Sequence, residues 1–253
     1  MSVENRVVLI TGATGGLGRT AAREFARQGA RLVLVGTSVE NLMALAQSLS
    51  LSDSCFLIHV DDLSKPEAAS RLVAQALQKF GRIDILLHLI GGWSGGKLIP
   101  AVTHGEIENM LQQHLWTTFH LALAILPSMT ANGWGRLLVV SSPIDAHPNA
   151  KTGSYAIGKA AQEALMLTIA EEAEGSGVTA NILLVDTIDV DHARDQNPDA
   201  TSKNWTTPEE ITAAFLRLSS DEAGSINGVR IPVYGRQKIH GAESAASLVT
   251  IPN

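Results

Sequence analysis

The stretch Ser154-Tyr155-Ala156-Ile157-Gly158-Lys159 sets a phenol and an ammonium four residues apart. Residues 155–174, rich in Ala, Leu, Ile, Met and Glu, read as a helix. Positions i and i+4 share one helix face, so the two groups converge. A free tyrosine has a pKa of about 10 and is a poor base at neutral pH. A neighbouring cation stabilises the phenolate and lowers that value, which makes the pair a tunable general acid/base. Upstream, Ser142 stands at the end of the apolar run Leu137-Leu138-Val139-Val140, where a hydroxyl can orient a carbonyl or alcohol oxygen toward the phenol. Tyr-x-x-x-Lys alone is a common surface pair, so its meaning depends on the elements around it.

Those elements alternate along the chain. Apolar, β-branched runs at 7–10, 32–35, 55–60, 85–90, 137–141, 178–185 and 229–233 predict strands. Helical patterns fall between them at 17–28, 39–49, 66–80, 103–131, 155–174 and 208–218. Gly29 and Gly81 are stop signals, Pro66 and Pro208 suit a first helical turn, and Pro127 is a candidate bend. Continuous apolar strands separated by helices imply an α/β fold: a parallel sheet of about seven strands, with helices on both faces. Ligands of such sheets bind beyond the carboxyl ends of the strands. Residues 12–18, 91–96 and Ser142 fall there.

The chain has 253 residues, 45% of them hydrophobic and 17% charged, which suits one well-buried domain over 1–253. A net charge of −6 favours neither nucleic acid nor an anionic membrane as partner. The single cysteine, Cys55, has no internal disulfide partner and reads as a buried thiol in an apolar run. No secretory signal or membrane-length apolar run is seen, so the expected compartment is the cytoplasm.

After the first strand the chain reads Thr11-Gly12-Ala13-Thr14-Gly15-Gly16-Leu17-Gly18. Glycines permit a tight turn and close backbone approach to a pyrophosphate. The following helix aims free N–H groups and its positive dipole end at that anion. At the end of the second strand, Val35-Gly36-Thr37-Ser38 has no acid for a free ribose 2′-hydroxyl and no arginine for a 2′-phosphate. Thr37 and Ser38 leave room for a phosphate and can bond it, so NADP(H) is favoured over NAD(H).

Glycine turn, Ser142, Tyr155 and Lys159 in this order make the chain similar to the short-chain dehydrogenase/reductase family, over nearly its whole length. Thr11-Gly12, Gly16 and Gly18 match the family's Thr-Gly-x-x-x-Gly-x-Gly turn. Gly81-Arg82-Ile83-Asp84, Ser141-Ser142, Pro208-Glu209-Glu210-Ile211 and Ile226-Asn227-Gly228 are also similar to family stretches. The resemblance implies a single Rossmann-type doubly wound domain. It implies a small carbonyl or alcohol substrate and a homo-oligomer, a tetramer or dimer. It assigns proton exchange with the substrate oxygen to Tyr155, and pKa lowering and nicotinamide-ribose binding to Lys159. Substrate orientation falls to Ser142, and adenine contact to Asp62 and Leu63.

The chain also departs from the family. His88-Leu89-Ile90-Gly91 stands for Asn-Asn-Ala-Gly, keeping only Gly91 for close approach to the cofactor and losing a strand-stabilising asparagine. His114 replaces a catalytic-site asparagine, and a core histidine and a proton-relay member are both open readings for it. Val185-Asp186 replaces Pro-Gly after the sixth strand. Val190 replaces the threonine that meets the nicotinamide carboxamide, with Thr187 nearby as a stand-in. Tyr234-Gly235-Arg236 replaces a closing Asp-Gly-Gly. Residues 186–206 sit where the family carries a mobile lid, and Asp189, Asp191, Asp195 and Asp199 within them read as solvated charge. No metal-ligand spacing is present among the histidines. The leading expectation is an NADP(H)-dependent oxidoreductase. A cofactor-binding homologue without turnover, acting as sensor or assembly partner, is the alternative, and a scaffold without cofactor is opposed by Gly12, Gly16 and Gly18.

Overall fold

A computed structural model describes residues 3–144, 148–196, 202 and 205–235. The strands are β1 (Val7–Thr11), β2 (Arg31–Gly36), β3 (Phe56–Val60), β4 (Ile85–His88), β5 (Gly135–Ser141), β6 (Val178–Leu184) and β7 (Arg230–Pro232). The α-helices are α1 (Gly16–Arg27), α2 (Val39–Ser48), α3 (Pro66–Phe80), α4 (His104–Leu111), α5 (Thr117–Ala131), α6 (Gly153–Glu172), α7 (Ala193–Gln196) and α8 (Pro208–Leu218). All strand pairs are parallel, in the order β3-β2-β1-β4-β5-β6-β7. Strand order reverses between β1 and β4, and that switch point opens a crevice at the carboxyl ends.

Successive strand residues feed opposite cores. Val7, Leu9, Val33, Val35, Leu137 and Val139 pack with α3, α5 and α6. Val8, Ile10, Leu32, Leu34, Leu87 and Leu138 pack with α1, α2 and α8. The strands carry apolar residues at consecutive positions, rather than alternate ones, because both faces are covered. Local signals set the helix ends. Pro66 opens α3 and Gly81 closes it at φ 76°. Thr103–Glu106 and Thr207–Glu210 form capping boxes at the starts of α4 and α8.

Three sequence expectations are corrected. β4 stops at His88 rather than residue 90, because the Leu89 N–H leaves the ladder and donates to Thr11 Oγ1 (3.0 Å). The helix expected over 103–131 is broken by a π turn at Gln112–Trp116. There the Thr117 and Thr118 hydroxyls donate to the carbonyls of Gln113 and His114 (2.7 and 2.6 Å). Such insertions swing one side chain off the helical stripe, and the side chain inside this one is His114. Cys55 precedes β3 and is half-buried, its sulfur accepting from the Ser52 hydroxyl at 3.2 Å. Among the described residues no helix is long and apolar enough to cross a membrane.

Candidate active site

Gly12 adopts φ 65°, and its carbonyl accepts the Gly15 N–H at 3.0 Å. A Cβ on Gly18 would lie 2.2 Å from the Gly12 oxygen, so no side chain fits there. The turn, Gly12, Gly15, Gly16, Leu17 and Gly18, lines a cavity of ≈ 340 Å³. The same cavity is lined by residues 88–93, His114, Val140, Tyr155, Lys159, Ile188 and Val190. A cradle of bare backbone at the start of α1, shaped so that a Cβ would collide with it, suits a dinucleotide pyrophosphate. A neighbouring hollow is lined by Thr37, Asp62, Leu63 and Ile90, beyond the ends of β2 and β3.

Tyr155 is half-buried in the first turn of α6, its ring 5.6 Å from that of His114 and edge-on at 84°. Lys159 is buried, and its Nζ donates to the Val140 carbonyl (2.7 Å) and to Gln162 Oε1 (3.0 Å). Ser142 is buried just past β5, with its Oγ accepting the Ile144 N–H at 3.4 Å. It does not line the cavity.

Two histidines replace asparagines here, and both are buried. Burial, helped by the Lys159 charge, lowers each from 6.5 to about 3, so both are neutral near pH 7. The hydrogen bonds of His88 fix its tautomer. The Thr117 hydroxyl already donates to Gln113, so at His88 Nε2 (3.1 Å) it accepts. Nε2 therefore carries the proton, and Nδ1 accepts from the Thr11 hydroxyl at 2.9 Å. His88 thus ties β1 to the start of α5 and does the strand-stabilising work expected to be lost.

His114 Nε2 donates to the Gly92 carbonyl (3.1 Å), while Nδ1 has no partner among the described residues. Its ring lies in a slot between two glycines. A Cβ on Gly91 would stand 2.6 Å from Cε1, and one on Gly158 would stand 3.0 Å from Cδ2. A ring held near 3 is neutral at pH 7, and it is anchored through Nε2 to Gly92 while standing on the cavity wall beside Tyr155.

Other candidate residues are placed less simply. Thr11 lies between strands rather than at the cavity. Thr14 gives its carbonyl to Arg19 Nε at 2.8 Å. Ser38 caps α2, accepting from Asn41 N (3.2 Å) and donating to Glu40 Oε2 (2.8 Å). An acid therefore stands beside the position expected to lack one. Thr187 does not line the cavity, whereas Ile188 and Val190 do. Ile188 pairs with Thr206 in an isolated bridge, and the chain then turns, with the Val190 N–H donating to the Ile188 carbonyl at 3.1 Å. Val190 lies against the turn, its Cγ1 2.5 Å from where a Gly16 Cβ would be. Asp189 is not solvated charge. It is buried, and its carboxylate caps α7 by accepting the N–H groups of Ala193 (2.8 Å) and Arg194 (3.0 Å). Asp195 pairs with Arg194, which also grips Glu210. Asp199 lies outside the described residues, as do 236 and the chain beyond it.

A doubly wound sheet with a glycine turn at its switch point and a Tyr-Lys pair across the crevice defines a class of nucleotide-dependent oxidoreductases. The sequence profile of the family described as short chain dehydrogenase matches residues 6–201, and the chain belongs to that family. It is 26% identical to the 3-oxoacyl-(acyl-carrier-protein) reductase FabG of Escherichia coli (strain K12), over 93% of this chain and 98% of that one. Among solved structures it is similar to levodione reductase (TM-score 0.82, 26% identity, 92% of this chain and 97% of that one). It is also similar to L-sorbose reductase from Gluconobacter frateurii, solved with NADPH and L-sorbose (TM-score 0.83, 25% identity, 93% and 97%).

Proposed function

We propose that this chain is an NADP(H)-dependent oxidoreductase that interconverts a carbonyl and an alcohol, with Tyr155 as general acid/base. The observation that carries this reading is that the glycine turn, Tyr155 and Lys159 line one cavity. The bound nicotinamide supplies or takes the hydride. Gly12, Gly15, Gly16, Leu17 and Gly18 would hold the pyrophosphate through backbone N–H groups at the start of α1, and Gly91 makes room for the His114 ring in the same wall. Lys159 holds the nicotinamide ribose and stabilises the phenolate. In reduction the Tyr155 hydroxyl gives its proton to the substrate oxygen, and in oxidation the phenolate takes it back. Reductases among the similar proteins support the direction, and one of them carries NADPH. A panel of carbonyl compounds, followed by loss of NADPH absorbance, tests the activity, and no turnover with any of them would count against it.

For the cofactor, Thr37 lines the hollow beyond β2. Arg19 adds a cation that inspection of β2 alone misses. Its Nε holds the Thr14 carbonyl, and Thr14 Oγ1 lies 3.5 Å from where a Gly36 Cβ would be. Glu40 opposes a phosphate. NADPH is expected to bind more tightly than NADH in a direct fluorescence titration, and equal or reversed affinities would sink the preference. Thr37→Asp should move the ratio toward NADH by about tenfold, equivalent to ~1.4 kcal/mol of added charge repulsion.

Trp116, Phe119 and Leu123 form an exposed apolar stripe at i, i+3 and i+7, and Ile157 of α6 is exposed as well. This supports a homo-oligomer that covers the stripe with a second copy. Light scattering should give a multiple of the 26.8 kDa chain mass at micromolar concentration, and Leu123→Glu should lower it. A parent protein that is monomeric at that concentration would refute the assembly.

A further inference from the structure

Lys159 is held from behind by a hydrogen-bonded chain in which every link has a fixed polarity. Its Nζ donates to Gln162 Oε1 (3.0 Å), one turn along α6. Gln162 Nε2 donates to Thr118 Oγ1 on α5 (2.9 Å), and Thr118 Oγ1 donates to the His114 carbonyl in the π turn (2.6 Å). An ammonium only donates and a carbonyl only accepts, so neither the amide nor the hydroxyl can be reversed without breaking its bonds. Gln162 and Thr118 are each 1% exposed, so water does not easily replace a lost partner. Core packing alone does not call for an amide at this position, since an apolar side chain of the same length would fill it.

We propose that Gln162 is a positioning residue for Lys159, and that through the Lys159–Gln162–Thr118 chain it fixes the ammonium against Tyr155 and sets the proton affinity of the phenol. The inference rests on the roles given above to Tyr155 and Lys159. A lysine stem is long and flexible, and the charge it carries acts on the phenol with a strength that falls with distance. The Val140 carbonyl on β5 is one anchor, and Gln162 is the second, on the helix that also carries Tyr155. The other titratable groups of the cavity wall are His88 from β4 and His114 from the π turn, both neutral near pH 7. Among the described residues, the glycine turn, the end of β5 and the segment after β6 bring no charged side chain to that wall. The place of Lys159 therefore governs the field at the phenol.

The chain contains two tyrosines, Tyr155 and Tyr234. In a Tyr234→Phe background, ultraviolet titration of phenolate absorbance follows Tyr155 alone, without substrate or cofactor. Gln162→Met keeps the volume and removes the acceptor. The expected result is a Tyr155 midpoint raised by about one pH unit, or about tenfold less phenolate at a given pH. The rising limb of the pH profile for alcohol oxidation should move up by the same amount, with kcat falling about tenfold and KM little changed, the scale of one hydrogen bond to a charged group. If Gln162→Met does not fold, Thr118→Val cuts the next link and should shift the midpoint in the same direction. A folded variant that titrates as its parent does overturns the proposal, even if its melting temperature falls, because Gln162 then only packs. The titration needs no turnover. A shifted midpoint in a protein that reduces no carbonyl would remove the proposed function and leave this inference standing.

Discussion

Tyr155→Phe is expected to lower turnover by about 10³-fold or more, within the range for losing a positioned general acid/base, while cofactor affinity changes little. The phenol stands in the cavity with Lys159 and the glycine turn. Its hydroxyl is the group there with a proton whose release the ammonium favours. His88 and His114 share the wall, but both are held near 3, so neither is an imidazolium that could act as the acid near neutral pH. Each has its Nε2–H directed at a protein oxygen. Removing one oxygen from residue 155 leaves the ring in its edge-on contact with His114 and leaves the turn untouched. Lys159→Ala should differ by weakening cofactor binding as well as turnover, because the ammonium serves both. The measurement is steady-state kinetics beside a direct cofactor titration. A Tyr155→Phe protein that keeps most of its activity would show that another group moves the proton.

The second large effect is on stability in mild acid. His88 and His114 have folded-state pKa values near 3 against about 6.5 unfolded. Burial is the main cause, so the folded state disfavours the charged forms. Below about pH 6.5 the unfolded chain binds protons that the native one refuses, and the stability of the native state falls as pH drops toward 3. Each histidine contributes a slope of about 1.4 kcal/mol per pH unit in that window. Together they should remove about 4 kcal/mol between about pH 7 and about pH 5, a large share of a typical domain's stability. Glu106, Asp61 and Asp62 are also lowered, by hydrogen bonds to their carboxylates, but groups of that kind add to the loss only below about pH 4.5. Urea unfolding at fixed protein concentration across the window measures the slope. His88→Asn with His114→Asn should flatten it, since an amide donates and accepts without titrating. A slope unchanged in that double variant would place the acid lability elsewhere.

What the sequence determined by itself was local in origin. Consecutive rather than alternating apolar residues demand a sheet covered on both faces, and such runs mark the seven strands. Gly18 is required by the Gly12 carbonyl of the same turn, Pro66 and Gly81 bound α3 through their own backbone preferences, and Tyr155 and Lys159 share a face through helical geometry. Only the tertiary structure decided matters that depend on partners far along the chain. His88 looks like an isolated core histidine until β1–β4 pairing brings Thr11 to it and the start of α5 brings Thr117. Thr187 and Val190 cannot be placed from the sequence, because Val190 reaches the cavity wall only where the chain after β6 turns and sets it against Gly16. Ser38 reads as a free hydroxyl, but the start of α2 claims it as a cap and brings Glu40 to it. Gln162 carries no signal of its own, because its meaning lies in Thr118 on another helix. Hydrogen-bond direction and strand phase are properties of pairs of segments, and the pairs form only when the sheet and its covering helices close.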